Sequence, residues 1–259
     1  MILPFISGIL TVVLRYMTTP IFSVTITLNI AYLYRKYKSQ ASHICLLFMK
    51  QHLELSVLVE LKCRVHRHKV KENELGSFET MNARNSYPIA KIACENLCNS
   101  YCSQYGVPAV ILRATQTFGP GVKYDDGRIF AEFMRCVVEK KNIVLKSAGL
   151  TERSYLYTAD AVSAILVSLL NGKPGQAYTI ANPNTYCSIK DMAQMVADEV
   201  AGGSIKVVFD IAKDIEKLGY ARTLFMNLDV AKVEKLGWTP SVDLKSMFER
   251  MIEGMKADV

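Results

Sequence analysis

From Asn73 to the end of the chain, apolar positions fall by turns into helical and strand spacing. Ser86–Tyr101 sets Ile89, Ala93, Asn96 and Leu97 along one helical stripe, and after the Gly106 break the β-branched run Val107–Leu112 predicts a strand. Helix Ile129–Glu139, short strands Ile143–Leu145 and Tyr155–Tyr157, and helix Ala159–Leu170 follow. The cluster Asn171-Gly172-Lys173-Pro174-Gly175 marks a turn. Beyond it the pattern predicts strand Ala177–Ile180, helix Ile189–Glu199, strand Lys206–Phe209 and closing helices Val230–Leu236 and Leu244–Met255. Ser188 with Asp191 has the spacing of a helix-start cap, and Gly237 reads as a helix stop. Helix and strand in alternation imply an α/β fold.

Before Asn73 the pattern changes. Met1–Leu14 is an apolar run too short to span a bilayer, without a basic leader or a small-residue cleavage site. Thr18–Tyr34 is a second run, Thr-rich, with Pro20 near its start and Arg35, Lys36 and Lys38 at its end. The β-branched stretch Ile21–Ile30 and the run His43–Met49 suit buried strands of a parallel sheet, so the expectation is a chain without a membrane segment.

Composition draws the same boundary. Residues 1–70 hold all four histidines, a single glycine (Gly8) and only two acids (Glu54 and Glu60), whereas the remainder has the balanced mixture of an enzyme. The chain therefore divides into residues 1–78 and 79–259. The net charge of +7 is no nucleic-acid signal, because residues 1–53 contain no Asp or Glu and carry much of the surplus. Seven cysteines without paired metal spacing point to free thiols in a reducing, cytoplasmic setting. Cys94, Cys98 and Cys102 recur at i, i+4, i+8 with no ligand beside them and read as a buried helix face. His66 and His68, among Arg64, Arg67 and Lys69, read as a solvated basic loop rather than a metal site.

The candidate chemistry lies on the helix opened by Ser86. Tyr87 and Lys91 stand four residues apart, one above the other on one face. A cation beside a phenol favours phenolate, which makes such a tyrosine an acid and base near neutral pH. In hydride chemistry on an alcohol, the tyrosine takes the hydroxyl proton as a nicotinamide takes the hydride, and the lysine also binds ribose hydroxyls. The pair alone is a weak motif.

Its context is more specific. The run Asn85-Ser86-Tyr87-Pro88-Ile89-Ala90-Lys91-Ile92-Ala93-Cys94-Glu95 resembles the active-site helix of extended short-chain dehydrogenase/reductases of the NAD-dependent epimerase/dehydratase family. Gly106-Val107-Pro108 with Leu112-Arg113 resembles their next strand. Thr117-Phe118-Gly119-Pro120-Gly121 with Asp125-Asp126-Gly127-Arg128 is similar to segments of UDP-glucuronate decarboxylases and their relatives. Arg153-Ser154-Tyr155-Leu156-Tyr157-Thr158-Ala159-Asp160 and Leu236-Gly237-Trp238-Thr239-Pro240 are similar to two further signatures, giving five segments in order.

The resemblance implies a Rossmann-like parallel sheet with a smaller C-terminal α/β substrate domain, NAD as cofactor and a nucleotide-diphosphate sugar as substrate. It implies Tyr87 as general acid and base, Lys91 as the cofactor-orienting lysine, and Arg153 as a grip on the nucleotide diphosphate, which suits guanidinium geometry. Gln116 falls where relatives usually carry an asparagine that contacts the nucleotide sugar; the amide is kept but is one carbon longer. Arg128 falls in the segment that packs against the nucleotide, and Arg222 reads as a second diphosphate ligand with unusual spacing to Asp229 and Trp238. Dimerisation through two helices from each subunit, one of them Ser86–Tyr101, follows from the same resemblance.

One part of the pattern is missing. A dinucleotide-binding half offers a strand, a Gly-rich turn opening a helix, and an acid about twenty positions later. Gly8 is the only glycine before Gly76, and no acid precedes Glu54. The Ser or Thr expected after a strand some thirty residues before Tyr87 is also absent, since His43–Met49 continues as Lys50-Gln51-His52. The sheet is accordingly expected to be incomplete at its start. Three explanations compete: a truncated or internally deleted gene, which we favour; a nucleotide-sugar-binding protein without turnover; and a variant tethered to a membrane by its first 34 residues.

Overall fold

The computed structural model describes residues 45–50, 69–74, 80–82, 85–211 and 223–257, the backbone alone for 45–50, 86–88 and 256–257. Its first sheet has the order β1 (Cys45–Lys50), β2 (Ala109–Ala114), β6 (Ala177–Ile180), all parallel. All six residues of β2 are buried, because both faces of this sheet are covered. Val107, Ala109 and Ile111 pack on Cys94 and Cys98 of α1 (Ser86–Tyr105), whereas Val110, Leu112 and Ala114 pack with Ala161, Ala164 and Ile165 of α3 (Thr158–Asn171). Cys94 and Cys98 of the cysteine stripe are thus core, as their spacing suggests, whereas Cys102 is only half-buried. Gly106 ends α1 in the left-handed conformation (φ 65°), where its N–H reaches the Cys102 carbonyl at 3.1 Å and the Val107 N–H reaches that of Tyr101 at 3.3 Å.

A second sheet begins where the first stops. β3 (Gln116–Phe118) follows β2 after Thr115, and β7 (Asn182–Ser188) follows β6 after Ala181. Both pair with β5 (Glu152–Tyr157), β3 in parallel and β7 antiparallel, while β9 (Phe225–Met226) runs parallel beside the start of β5. Thr115 joins the two sheets: its N–H donates to Ile180 O at 3.1 Å and its hydroxyl to Ser154 O at 2.6 Å.

One face of the second sheet packs on α2 (Ile129–Glu139) and α6 (Leu244–Ala257). Phe118 stacks on Phe130 at 4.4 Å between centroids and meets Phe248 edge-on at 5.2 Å. α4 (Ile189–Met195) and the parallel pair β4 (Ile143–Leu145) and β8 (Val207–Phe209) complete this second core.

The strongly patterned elements stand where the sequence puts them, within a few residues, and Ser188 caps α4 by accepting from Asp191 N at 3.0 Å. Three corrections follow. The helix expected over Ile189–Glu199 ends as α at Met195 and continues as a π turn, with Ala201 N–H reaching back five residues to Val196 O at 2.9 Å. The helix expected over Val230–Leu236 shrinks to α5 (Ala231–Glu234). β3, β7 and β9 are strands that no alternation announces. Ile21–Ile30, His66 and His68 lie outside the described residues. Among the described residues no helix is long and apolar enough to cross a membrane, and Met1–Leu14 and Thr18–Tyr34 are not among them.

Two signature segments prove to be one interaction. The Asp160 carboxylate, near the start of α3, accepts from Ser241 N (3.0 Å), Ser241 Oγ (2.7 Å) and Val242 N (3.1 Å). The Trp238 indole donates to Asp160 O (3.1 Å) and Ser163 Oγ (2.9 Å). Replacing Asp160 with Ala orphans two backbone donors and a hydroxyl, so Asp160→Ala is expected to lower unfolding stability by roughly 3 kcal/mol, read from urea midpoints.

Candidate functional site

Ligands of open parallel sheets bind beyond the carboxyl ends of the strands, and here those ends also mark the parting of the two sheets. α1 runs antiparallel to β2, with Cys98 and Cys94 over Val107 to Ile111 and Glu95 bonded to Arg113 near the end of the strand. Lys91 stands one turn further on, about 6 Å along the helix axis, and is only 5% exposed. Tyr87 occupies the position four residues earlier in the same helix; its side chain lies outside the described residues. Arg222 is outside them altogether.

Gln116 opens β3 at this level and is the register partner of Tyr155 on β5. Partners on adjacent strands project from one face, as do residues two apart on a strand, so Gln116, Arg153 and Tyr155 share a face. All three are more than nine-tenths buried, and Gln116 Oε1, Arg153 Nε and Tyr155 Oη have no hydrogen-bond partner. Unsatisfied buried groups are uncommon and leave room for a ligand or water to complete the bonding; Ser154 Oγ and Ser168 Oγ, away from this face, are in the same condition. Arg128 is differently placed. Its guanidinium chelates Asp126, with Nε at 2.8 Å from Oδ1 and a close Nη2 to Oδ2 contact, and lies 4.6 Å over the Phe130 ring. Phe130 stacks on Phe118, two residues beyond Gln116, so packed rings stand between Arg128 and Gln116.

Electrostatics narrows the roles. Burial pushes the Tyr155 phenol well above its ordinary value despite the neighbouring Arg153 charge, so this group is a neutral hydrogen-bonding partner and not a base. Cys187, opposite Arg153 in the ladder, is pushed up to about 12 by burial and by the Asp191 and Glu152 carboxylates, which rules it out as a thiolate nucleophile at neutral pH. Among the described residues no cluster of His, Cys, Asp and Glu could hold a metal ion.

Residues 63–181, which contain α1, β2, β3 and β5 and reach one residue beyond β6, match the model of the NAD dependent epimerase/dehydratase family. This part of the chain belongs to that family. The human dTDP-D-glucose 4,6-dehydratase is 28% identical over 173 residues, 65% of this chain and 47% of that protein. UDP-glucuronic acid decarboxylase 1 of Xenopus tropicalis is 25% identical over 194 residues, 74% and 44% of the two chains. The matches thus span about half the length of these curated relatives. Among solved structures, the Thermotoga maritima UDP-glucose 4-epimerase with UDP-glucose superposes with a TM-score of 0.75 at 18% identity, covering 96% of this chain and 74% of that one. The Bacillus cereus UDP-glucuronic acid 4-epimerase in complex with NAD gives 0.69 at 20% identity, covering 95% and 70%. Such likenesses show the fold, a Rossmann-like α/β arrangement.

Sequence reasoning missed Tyr155 as a buried hydroxyl at the candidate site and Thr115 as the joint beneath it. The signal for the first was available, since a phenol inside an arginine signature must find a partner or go without. A hydroxyl that goes without lowers stability, so Tyr155→Phe is expected to raise it by about 1 kcal/mol, measured by thermal or urea unfolding of the ligand-free chain.

Proposed function

We propose that this chain binds a nucleotide-diphosphate sugar at the carboxyl ends of its parallel strands and acts on the sugar C4 hydroxyl with NAD as hydride acceptor. What supports the reading is the burial of Lys91 one turn from position 87, at the level where Gln116 and Arg153 present polar atoms without partners. In this reading Tyr87 takes the C4 hydroxyl proton, Lys91 holds the phenol as phenolate and binds ribose hydroxyls of the cofactor, and Arg153 holds the diphosphate. Gln116 contacts the sugar, and Arg128 and Arg222 close on the nucleotide side. When bound, NAD supplies reversible hydride acceptance, which opens epimerisation, dehydration or decarboxylation of the resulting 4-keto sugar. The segments Thr117-Phe118-Gly119-Pro120 and Asp126-Gly127-Arg128 favour a substrate of the UDP-glucuronate type.

The described residues fit the nicotinamide side of the cofactor through buried Lys91, but the sequence offers no Gly-rich turn for its pyrophosphate. That observation favours a second reading, in which the chain binds nucleotide sugars without turnover. In both, residues 79–259 form the catalytic helix and sugar-binding region, residues 1–78 a remnant of the dinucleotide-binding half, α1 the contact of a homodimer, and the free thiols point to the cytoplasm.

Separate calorimetric titrations with NAD⁺ and UDP-sugars test this. Saturable binding of both supports the enzymatic reading, binding of the UDP-sugar alone supports the second, and binding of neither refutes both. Arg153→Met is expected to weaken UDP-sugar binding by about 2 kcal/mol, roughly thirtyfold, while Tyr87→Phe leaves sugar affinity unchanged and abolishes any C4 chemistry.

A further inference from the structure

The contact between α1 and β2 is built from small, soft groups. Cys94 and Cys98 meet Val107, Ala109 and Ile111, and burial of such surfaces is favourable without being directional. Tyr101 and Ala177 pack beside them, and such apolar contact defines slide and roll less sharply than a directional bond does.

Arg113 adds a directional bond. Its Nε donates to Glu95 Oε1 at 2.9 Å and its Nη2 to Glu95 Oε2 at 2.7 Å, a two-pronged pairing with defined geometry. Its Nη1 donates to the carbonyl of Glu72 at 2.8 Å, so all three guanidinium nitrogens are used. Glu72 in turn accepts from Thr179 N at 2.8 Å, which ties the network to β6. The side chains of Arg113 and Glu95 are 7% and 16% exposed, so water screens the pair little. The network joins the helix to β2 and β6 just below the level at which these two strands part.

We propose that Arg113 is a positioning residue for the Tyr87 and Lys91 pair, setting the height and roll of the first turns of α1 against the carboxyl ends of β2 and β6. This rests on the reading of Tyr87 as the acid and base given above. Glu95 is one turn from Lys91 and two turns from Tyr87, so an error of slide at Glu95 passes undiminished along a rigid helix to both. Lysine keeps the charge of Arg113 but cannot make the two-pronged bond.

The test is a spectrophotometric phenol titration of the full chain, taken as the difference between each protein and its Tyr87→Phe counterpart, so that one phenol of the thirteen is read. The backgrounds are the parent, Arg113→Lys, and the double variant Arg113→Met with Glu95→Gln, which avoids leaving a buried charge unpaired. Ile165→Val, on the opposite face of the sheet, serves as a destabilised control. The expected result is a Tyr87 midpoint below the ordinary value of about 10 in the parent and the control, moved up by about one unit or more in both Arg113 backgrounds, each still unfolding cooperatively. An unchanged midpoint in the folded Arg113 variants, or an equal shift in the control, overturns the positioning role and leaves the reading of Tyr87 intact. An ordinary midpoint in the parent overturns the reading of Tyr87 itself, and the positioning role with it.

Discussion

The hydrogen bond from Thr115 N to Ile180 O is the last rung between β2 and β6, and the candidate site lies where the ladder stops. Beyond it the two neighbouring strands turn into β3 and β7 and take β5 between them. Open parallel sheets take their ligands beyond the carboxyl ends of the strands, where neighbouring strands part. The Thr115 hydroxyl bonded to Ser154 O holds β5 beside the end of β2, and Arg153 and Tyr155 are therefore carried to the side of Gln116.

What the sequence reveals and conceals follows from the physics of each element. α1, α2, α3 and α6 were legible because a helix that covers a sheet must repeat its apolar positions every three or four residues. β2 was legible as an unbroken apolar run, the mark of a strand buried on both faces. β3 and β9 have three and two residues, too few for any period to show, and β7 contains Pro183 and a break in register. Lys91 and Arg153 were found through motif spacing, which records local geometry. The Arg113–Glu95 pair was invisible to spacing, since it joins residues 18 apart across a helix-to-strand turn and only the packed fold brings them together.

The signature residues also divide by task once their partners are known. Asp160 and Trp238 lie in two of the segments that carry the resemblance, yet both are used to fasten the segment 238–242 to the start of α3. Gly119 has a similar office: a Cβ there would come within 2.9 Å of both Thr158 Oγ1 and the Tyr157 ring, so the turn after β3 lies against the end of β5 only because that residue has no side chain. A motif can mark the frame that holds a reaction as readily as the groups that perform it.

The register break in β7 rests on a single hydroxyl. Thr185 Oγ1 accepts from Tyr155 N at 2.7 Å and donates toward the carbonyls of Asn182 (2.7 Å) and Tyr155 (3.0 Å), doing for β5 what a neighbouring backbone would do elsewhere. Valine has the same shape and none of this capacity. An exchange that looks conservative by volume would strip β5 of its mooring beside Arg153, whereas serine, smaller and by appearance the cruder replacement, would keep it.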